Sequence, residues 1–206
     1  MKVLIACEFS GVVRRAFRER GHDAWSCDLL PADDGSEHHY QCDVLHGPFS
    51  LQAYEWDLLI AHPPCTYLTN AGVRHLHEHV TSVNGKRAAV SGKKRWEEME
   101  KACIFFNALK NCSIHRVCME NPIPHKYARE RIGKYSQIIQ PWQFGHGETK
   151  ATCLWLFNLP PLRSTAIVEG REARIYKMPP SKDRSKLRSI TYKGIADAMA
   201  EQWGIL

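Results

Sequence analysis

The stretch Trp56-Asp57-Leu58-Leu59-Ile60-Ala61-His62-Pro63-Pro64-Cys65 decides how this chain is read. It opens as a short apolar run of the length of a buried strand and stops abruptly at His62. Pro63 and Pro64 fix their own backbone torsions and restrict the residue ahead of each, so the chain leaves the strand stiff and extended. Cys65 is thereby presented at the strand's carboxyl end. A thiol that only fills core volume needs no such device, whereas a nucleophile needs a fixed line of approach.

The same pattern recurs on both sides of this stretch. Lys2 to Cys7 reads as a buried strand, closed by Glu8-Phe9-Ser10-Gly11. Val12, Val13, Ala16 and Phe17 then fall at helical spacing opposite Arg14, Arg15, Arg18 and Arg20, and Gly21 ends that helix. A strand from Asp23 to Cys27 runs into Asp28, and a third short one ends near Asp43-Val44. Residues 66–95 show no clear period and read as a loop inserted before a helix from about Arg95 to Lys110. In that helix Trp96, Met99, Cys103, Phe106 and Leu109 supply the apolar face. Arg116 to Met119 is the next strand and stops at Glu120-Asn121-Pro122. A strand at Thr152 to Phe157 and a helix from Ile195 to Trp203 complete the chain. Strands alternating with helices predict an α/β fold, one domain over residues 1–206, with right-handed crossovers and a mostly parallel sheet.

Composition is that of an ordinary globular domain. The 206 residues are 44% hydrophobic and 24% charged, without an apolar stretch near the ~20 residues a membrane span requires. A cytoplasmic protein is expected. The eight cysteines form no CxxC pair, which argues against both a disulfide framework and a structural zinc site; most of them read as small buried hydrophobes. His75, His77 and His79 would share a face in an extended segment, but a solvated loop explains them better than a metal does. His38 and His39 read as surface residues. Trp96, Trp142, Trp155 and Trp203 either stack bases or fill the core. Gly145, His146 and Gly147 form either a tight loop beside a pocket or a plain turn.

The net charge of +6 permits a polyanionic partner, and its distribution is more telling. Basic residues concentrate at Lys86, Arg87, Lys93, Lys94 and Arg95. They concentrate again from Arg163 to Lys193, a run that covers most of a small basic segment over about 158–189. Solvated loops would account for either cluster alone; two of them flanking a reactive centre favour phosphate contacts and a DNA partner.

In open α/β sheets, ligands gather beyond the carboxyl ends of the strands. Glu8, Asp28, Asp43, Cys65 and Glu120 all fall there. Asp28 is placed to accept from ribose hydroxyls and Asp43 from an exocyclic amine, which suggests an adenosine-containing cofactor. A carboxyl beside a thiol suits addition to an aromatic heterocycle: sulfur adds at one carbon while the acid serves a ring nitrogen.

Phe9-Ser10-Gly11, Asp28, Asp43, Pro64-Cys65 and Glu120-Asn121, in this order, resemble the cofactor and catalytic motifs of the DNA cytosine-C5 methyltransferases. The stretch from Gly145 to Leu156 and the closing Tyr192 to Ala200 resemble a compact, phage-type branch. The resemblance implies a Rossmann-like S-adenosylmethionine-dependent methyltransferase fold. It further implies transfer of a methyl group to C5 of cytosine in DNA through a covalent Cys65–C6 intermediate. Cys65 would then be the nucleophile and Glu120 the acid, with Asn121 positioning the loop or the base. Phe9, Ser10, Gly11, Asp28, Asp43 and Pro63 would line the cofactor, and Pro64, Thr66, Asn70, Arg74 and Lys150 the substrate. The segment carrying Thr66, Asn70, Gly72 and Arg74 would act as a lid, and no metal is implied. Thr66 stands where the family has a glutamine. The family's Gln-x-Arg-x-Arg element has no clean copy, leaving Lys150 as its substitute, and the usual large target-recognition region is missing. Two alternatives remain open. One is a free pyrimidine nucleotide as substrate, or a modified S-adenosylmethionine delivering another group; the other is an impaired methyltransferase fold that only binds nucleic acid. A homodimer is compatible with all of these.

Overall fold

The computed structural model describes residues 1–47, 51, 55–77 and 92–206. His79, the Lys86-Arg87 half of the first basic cluster and residues 78–91 of the expected loop lie outside the described residues.

Among the described residues, seven strands form one sheet in the order β3-β2-β1-β4-β5-β7-β6. These are β1 (Lys2–Ala6), β2 (Asp23–Asp28), β3 (His39–Gln41), β4 (Leu58–Ala61), β5 (Arg116–Pro122), β6 (Gln137–Ile139) and β7 (Thr152–Phe157). β1 to β5 are mutually parallel, whereas β7 runs antiparallel between β5 and β6. The chain winds outward from β1 to β3, then returns to lay β4 against the other side of β1. The crevice where the winding reverses, between the ends of β1 and β4, is the place where open sheets bind ligands.

The helices are α1 (Val12–Arg18), α2 (Gly92–Lys110), α3 (Lys126–Ile132), α4 (Arg174–Lys177), α5 (Arg184–Ser189) and α6 (Lys193–Trp203). Strand alternation divides the core between the two faces of the sheet. Leu4, Leu59, Val117, Met119 and Trp155 face one way and meet Met99, Cys103, Phe106 and Leu109 of α2 with Ala128 and Ile132 of α3. Val3, Ile5, Leu58, Ile60, Cys118 and Leu154 face the other way and meet Val13 and Phe17 of α1 with Ile195, Met199 and Trp203 of α6. The result is a mixed α/β fold, a multi-stranded sheet flanked by helices. No helix among the described residues is long and apolar enough to cross a membrane.

Several sequence expectations need correction. β3 ends at Gln41 rather than near Asp43, and β5 continues through Pro122, so Glu120 lies inside a strand instead of beyond one. The described part of 66–95 is not an aperiodic loop. A turn in which the Cys65 carbonyl accepts from the Leu68 and Thr69 amides leads into a 3-10 helix over Asn70–Leu76. Leu68 and Leu76 are buried there, and the Trp96 indole of α2 donates to the Leu76 carbonyl. Short polar sequences of this kind carry no readable period, which is why pattern alone missed α3, β6, α4 and α5 as well.

Candidate active site

Two backbone devices shape the end of β1. Cys7 has φ +58°, a left-handed conformation that costs a non-glycine residue about 1 kcal/mol or more. It turns Glu8 back under α1, where the carboxylate accepts from the Val13 amide at 2.7 Å and the Arg14 amide at 3.2 Å. The anion position at that helix N-terminus is therefore taken by the chain's own acid. Ser10 is buried and braces the same loop, its hydroxyl donating to Glu8 at 3.4 Å. Gly11 has φ +67°, and a Cβ there would collide with the Arg14 guanidinium and crowd Asp34. The glycine thus makes room for the ion pair of the buried Arg14 with Asp34. Phe9 is buried, with the Lys186 ammonium of α5 5.0 Å from its ring centroid.

Asp28 ends β2, and its Oδ1 accepts from the Leu30 amide at 2.9 Å. Asp43 is exposed; it accepts from the Leu45 amide at 2.8 Å and lies 3.1 Å from His46 Nδ1, and these bonds hold its carboxyl below the usual range. Both acids act electrostatically on Cys7, which places them around the end of β1, although burial is the larger cause that pushes the Cys7 thiol upward.

At the end of β4, Pro63 is buried, Pro64 is exposed and Cys65 is half-buried. The parallel register that pairs Ala61 with Met119 brings the next residues, His62 and Glu120, side by side. His62 Nδ1 lies 2.6 Å from Glu120 Oε2, with side-chain exposures of 9% and 11%. One residue further on, the Asn121 amide donates to the Pro63 carbonyl at 3.3 Å, tying the Pro-Pro-Cys segment to β5. Asn121 Oδ1 and His62 Nε2 are buried without a hydrogen-bond partner.

Charge reinforces this grouping. Burial and the Glu120 carboxylate push the Cys65 thiol up, while its own backbone amide, Lys150 and Arg188 partly oppose them. Burial would raise Glu120, but hydrogen bonding and charge from His62, with help from Lys150, bring it below the ordinary carboxyl range. For His62, burial favours the neutral ring; the contact with Glu120 outweighs it and lifts the imidazole above its usual value. A small cavity beside Glu120 is walled by Lys150, Thr152, Thr191, Tyr192 and Met199. Lys150 donates to the Ile190 carbonyl at 3.2 Å and faces the Tyr192 ring at 5.8 Å.

The structure thus brings Cys65, Glu120, Asn121, Pro63 and Lys150 into one centre, and Phe9, Gly11 and Asp28 to the adjoining rim. His62 belongs to that centre and was not foreseen, because its partner lies 58 positions away and only strand register reveals it. Other expected residues lie in surroundings the sequence did not show. Thr66 and Asn70 are exposed but their backbones are anchored: Arg95 donates to the Thr66 carbonyl at 3.0 Å and the Asn70 amide bonds the Ile123 carbonyl at 3.4 Å. Gly72 leaves room for that Arg95 guanidinium, so the described part of the expected lid is held to α2 and to the residue that follows β5. Arg95 is buried and unavailable to phosphate, while Arg74 is exposed beside His75. Trp155 and Trp203 are core residues, Trp96 bonds Leu76, and Trp142 is covered by Arg171 at 3.9 Å. His39 is no bare surface residue: its ring nitrogens lie 2.8 Å from Ser26 Oγ and 2.9 Å from the Leu30 carbonyl. His146 receives the Gly194 amide at the start of α6 at 3.0 Å, which favours the turn reading of its loop.

No family model matches the chain, and no curated protein matches it in sequence. Among solved structures, it is similar to one from E. coli provisionally assigned as a DNA modification methyltransferase encoded within a prophage. The identity is 13% and the TM-score 0.49, over 82% of this chain and 52% of that one. The chain therefore spans about half the length of that structure.

Proposed function

We propose that this protein is an S-adenosylmethionine-dependent transferase of the Rossmann-like methyltransferase kind that modifies C5 of cytosine in DNA, with Cys65 as nucleophile. The observation that carries this reading is the adjacency of two strand ends. Cys65 follows β4, Glu120 lies near the end of β5, and Asn121 locks the one segment to the other at 3.3 Å.

The cofactor fits the crevice between the ends of β1 and β4. Asp28 has one carboxylate oxygen left over from its bond to Leu30, which would accept from ribose hydroxyls, and the buried Phe9 would offer an apolar wall. Gly11 fits this role less directly than its motif implied, since Arg14 and Asp34 already crowd the space beside it. S-adenosylmethionine supplies an electrophilic carbon when bound.

The chain's own residues would do the rest. A cytosine drawn out of the stack, at a cost of a few kcal/mol, presents C6 to sulfur. The Cys65 thiolate, its proton released to water, adds to C6 as Glu120 serves N3, so that electron density collects at C5. Once C5 has been alkylated, loss of its proton and departure of Cys65 restore the aromatic ring. Lys150 and Arg188 favour the thiolate that this chemistry requires.

DNA containing 5-fluorocytosine tests the proposal, because the fluorine cannot leave as a proton and the adduct persists. A covalent complex is expected with the native protein plus cofactor and none with Cys65→Ser, read by denaturing gel and by mass spectrometry, which also gives the mass of the transferred group. Absence of an adduct on duplex and single-stranded DNA alike would sink the cytosine-C5 reading.

A further inference from the structure

The proposed chemistry needs a proton at the cytosine ring nitrogen above the pH at which an ordinary carboxylic acid has lost its own. A lone Glu120 is ill suited to this, since near neutrality a carboxyl not raised by its surroundings is a carboxylate. The structure supplies a partner. His62, directly after β4, and Glu120 of β5 are neighbours across the two chain segments, their polar atoms 2.6 Å apart and both side chains about nine-tenths buried. An imidazole facing a buried carboxylate over so short a bond shares a single proton with it.

We propose that His62 and Glu120 work as one proton-holding pair, in which His62 keeps a proton at the disposal of the Glu120 carboxyl while the pyrimidine ring is opened to attack. The inference rests on the transferase reading above and adds to it a positioning residue that its motifs do not contain. In the step, the shared proton passes through the Glu120 carboxyl to N3 as sulfur bonds to C6, leaving a neutral His62 ring and a Glu120 carboxylate. When Cys65 departs, N3 returns that proton through Glu120 to His62, so the pair ends as it began.

The surroundings support a device rather than a chance contact. Glu8 from the β1–α1 turn adds negative charge on the His62 side, and Lys150 ahead of β7 adds positive charge. Cys65, Cys118 and Cys153 also interact with Glu120, and Arg188 acts on Cys65. His62 Nε2 is buried with no hydrogen-bond partner, so the fold engages one ring nitrogen, through Glu120, and leaves the other unpaired.

The test follows the pH dependence of 5-fluorocytosine adduct formation in the native protein and in His62→Asn, whose amide can still donate to Glu120 but cannot carry a proton. The alkaline limb should move to lower pH by about one unit or more, with a rate at pH 8 at least about tenfold lower and little change on the acid side. An unchanged alkaline limb would overturn the pair, since a merely structural hydrogen bond is retained in this variant. A second measurement needs neither substrate nor a folded variant at position 62: nitrogen NMR of the His62 ring in the native full-length chain. The ring should remain doubly protonated above pH 6.5, the ordinary histidine value, and Glu120→Gln should bring its titration down. A ring already neutral at pH 6 overturns the pair. Failure of the native protein to form any adduct overturns the transferase reading alone, because the NMR titration decides the pair independently.

Discussion

Asn121 shows how one side chain can join two segments far apart in the chain. It is 1% exposed, and its amide holds the Pro63 carbonyl, so the prolines stiffen the approach to Cys65 while Asn121 fixes where that approach points. Asn121→Ala removes a buried hydrogen bond and should cost about 1–2 kcal/mol in urea denaturation. Adduct formation with 5-fluorocytosine should fall by about tenfold or more beyond that, because a nucleophile displaced by a fraction of its reach loses its line of attack. At this scale the sequence disclosed Cys65, Glu120 and Asn121, since each sits beside proline or ends an apolar run. It concealed His62, which looks like a strand's last residue until β5 is laid beside β4.

At the scale of elements, α1 is fastened to the sheet by charge as much as by packing. Arg14, with a side chain 1% exposed, donates to Ser26 at 2.7 Å and to Asp34 at 2.7 Å, and Arg15 shares that carboxylate. Burial alone would raise the Asp34 carboxyl, but these guanidinium groups bring it down to about 2, below the ordinary 3.8. A carboxyl depressed in the folded state contributes stability above its unfolded value and loses it as pH falls through the folded one. The contribution is therefore complete above about pH 4 and fades towards pH 2. Asp34→Ala strands a buried guanidinium and should lower unfolding free energy by about 3 kcal/mol, with much of the loss recovered in Asp34→Ala combined with Arg14→Met. Both variants should also flatten the acid limb of stability against pH, measured by urea midpoints. The sequence marked Arg14 as a solvent-facing helix residue, because helical spacing separates faces without showing that a β2–β3 loop folds over the polar one.

For the whole molecule, the basic segment between β7 and α6 is two things at once. Arg174 makes a two-pronged pair with Glu148 at 3.0 and 2.9 Å, the Tyr192 hydroxyl donates to the same carboxylate at 2.6 Å, and Lys186 reaches Asp33 at 2.6 Å across the rim. Lys177, Lys182 and Arg188 have no ion-pair partner among the described residues. If the segment holds DNA phosphates as proposed, replacing these three by alanine should make log affinity fall less steeply with log salt, by ~0.9 for each phosphate no longer neutralised. Arg174→Ala should leave that slope nearly unchanged and instead cost up to about 1 kcal/mol of stability; fluorescence anisotropy across a salt series separates the two. Counting charges along the chain could not sort them, because a cation's availability depends on which carboxylate folding brings to it. What the sequence by itself determined is the α/β alternation, the mostly parallel sheet and the abrupt end of the strand before Pro63, all of which follow from local periodicity and from the fixed torsions of proline. Only the tertiary structure decided the antiparallel β7, the His62–Glu120 contact and which charges are already paired, because each depends on the register and proximity of residues far apart in the chain.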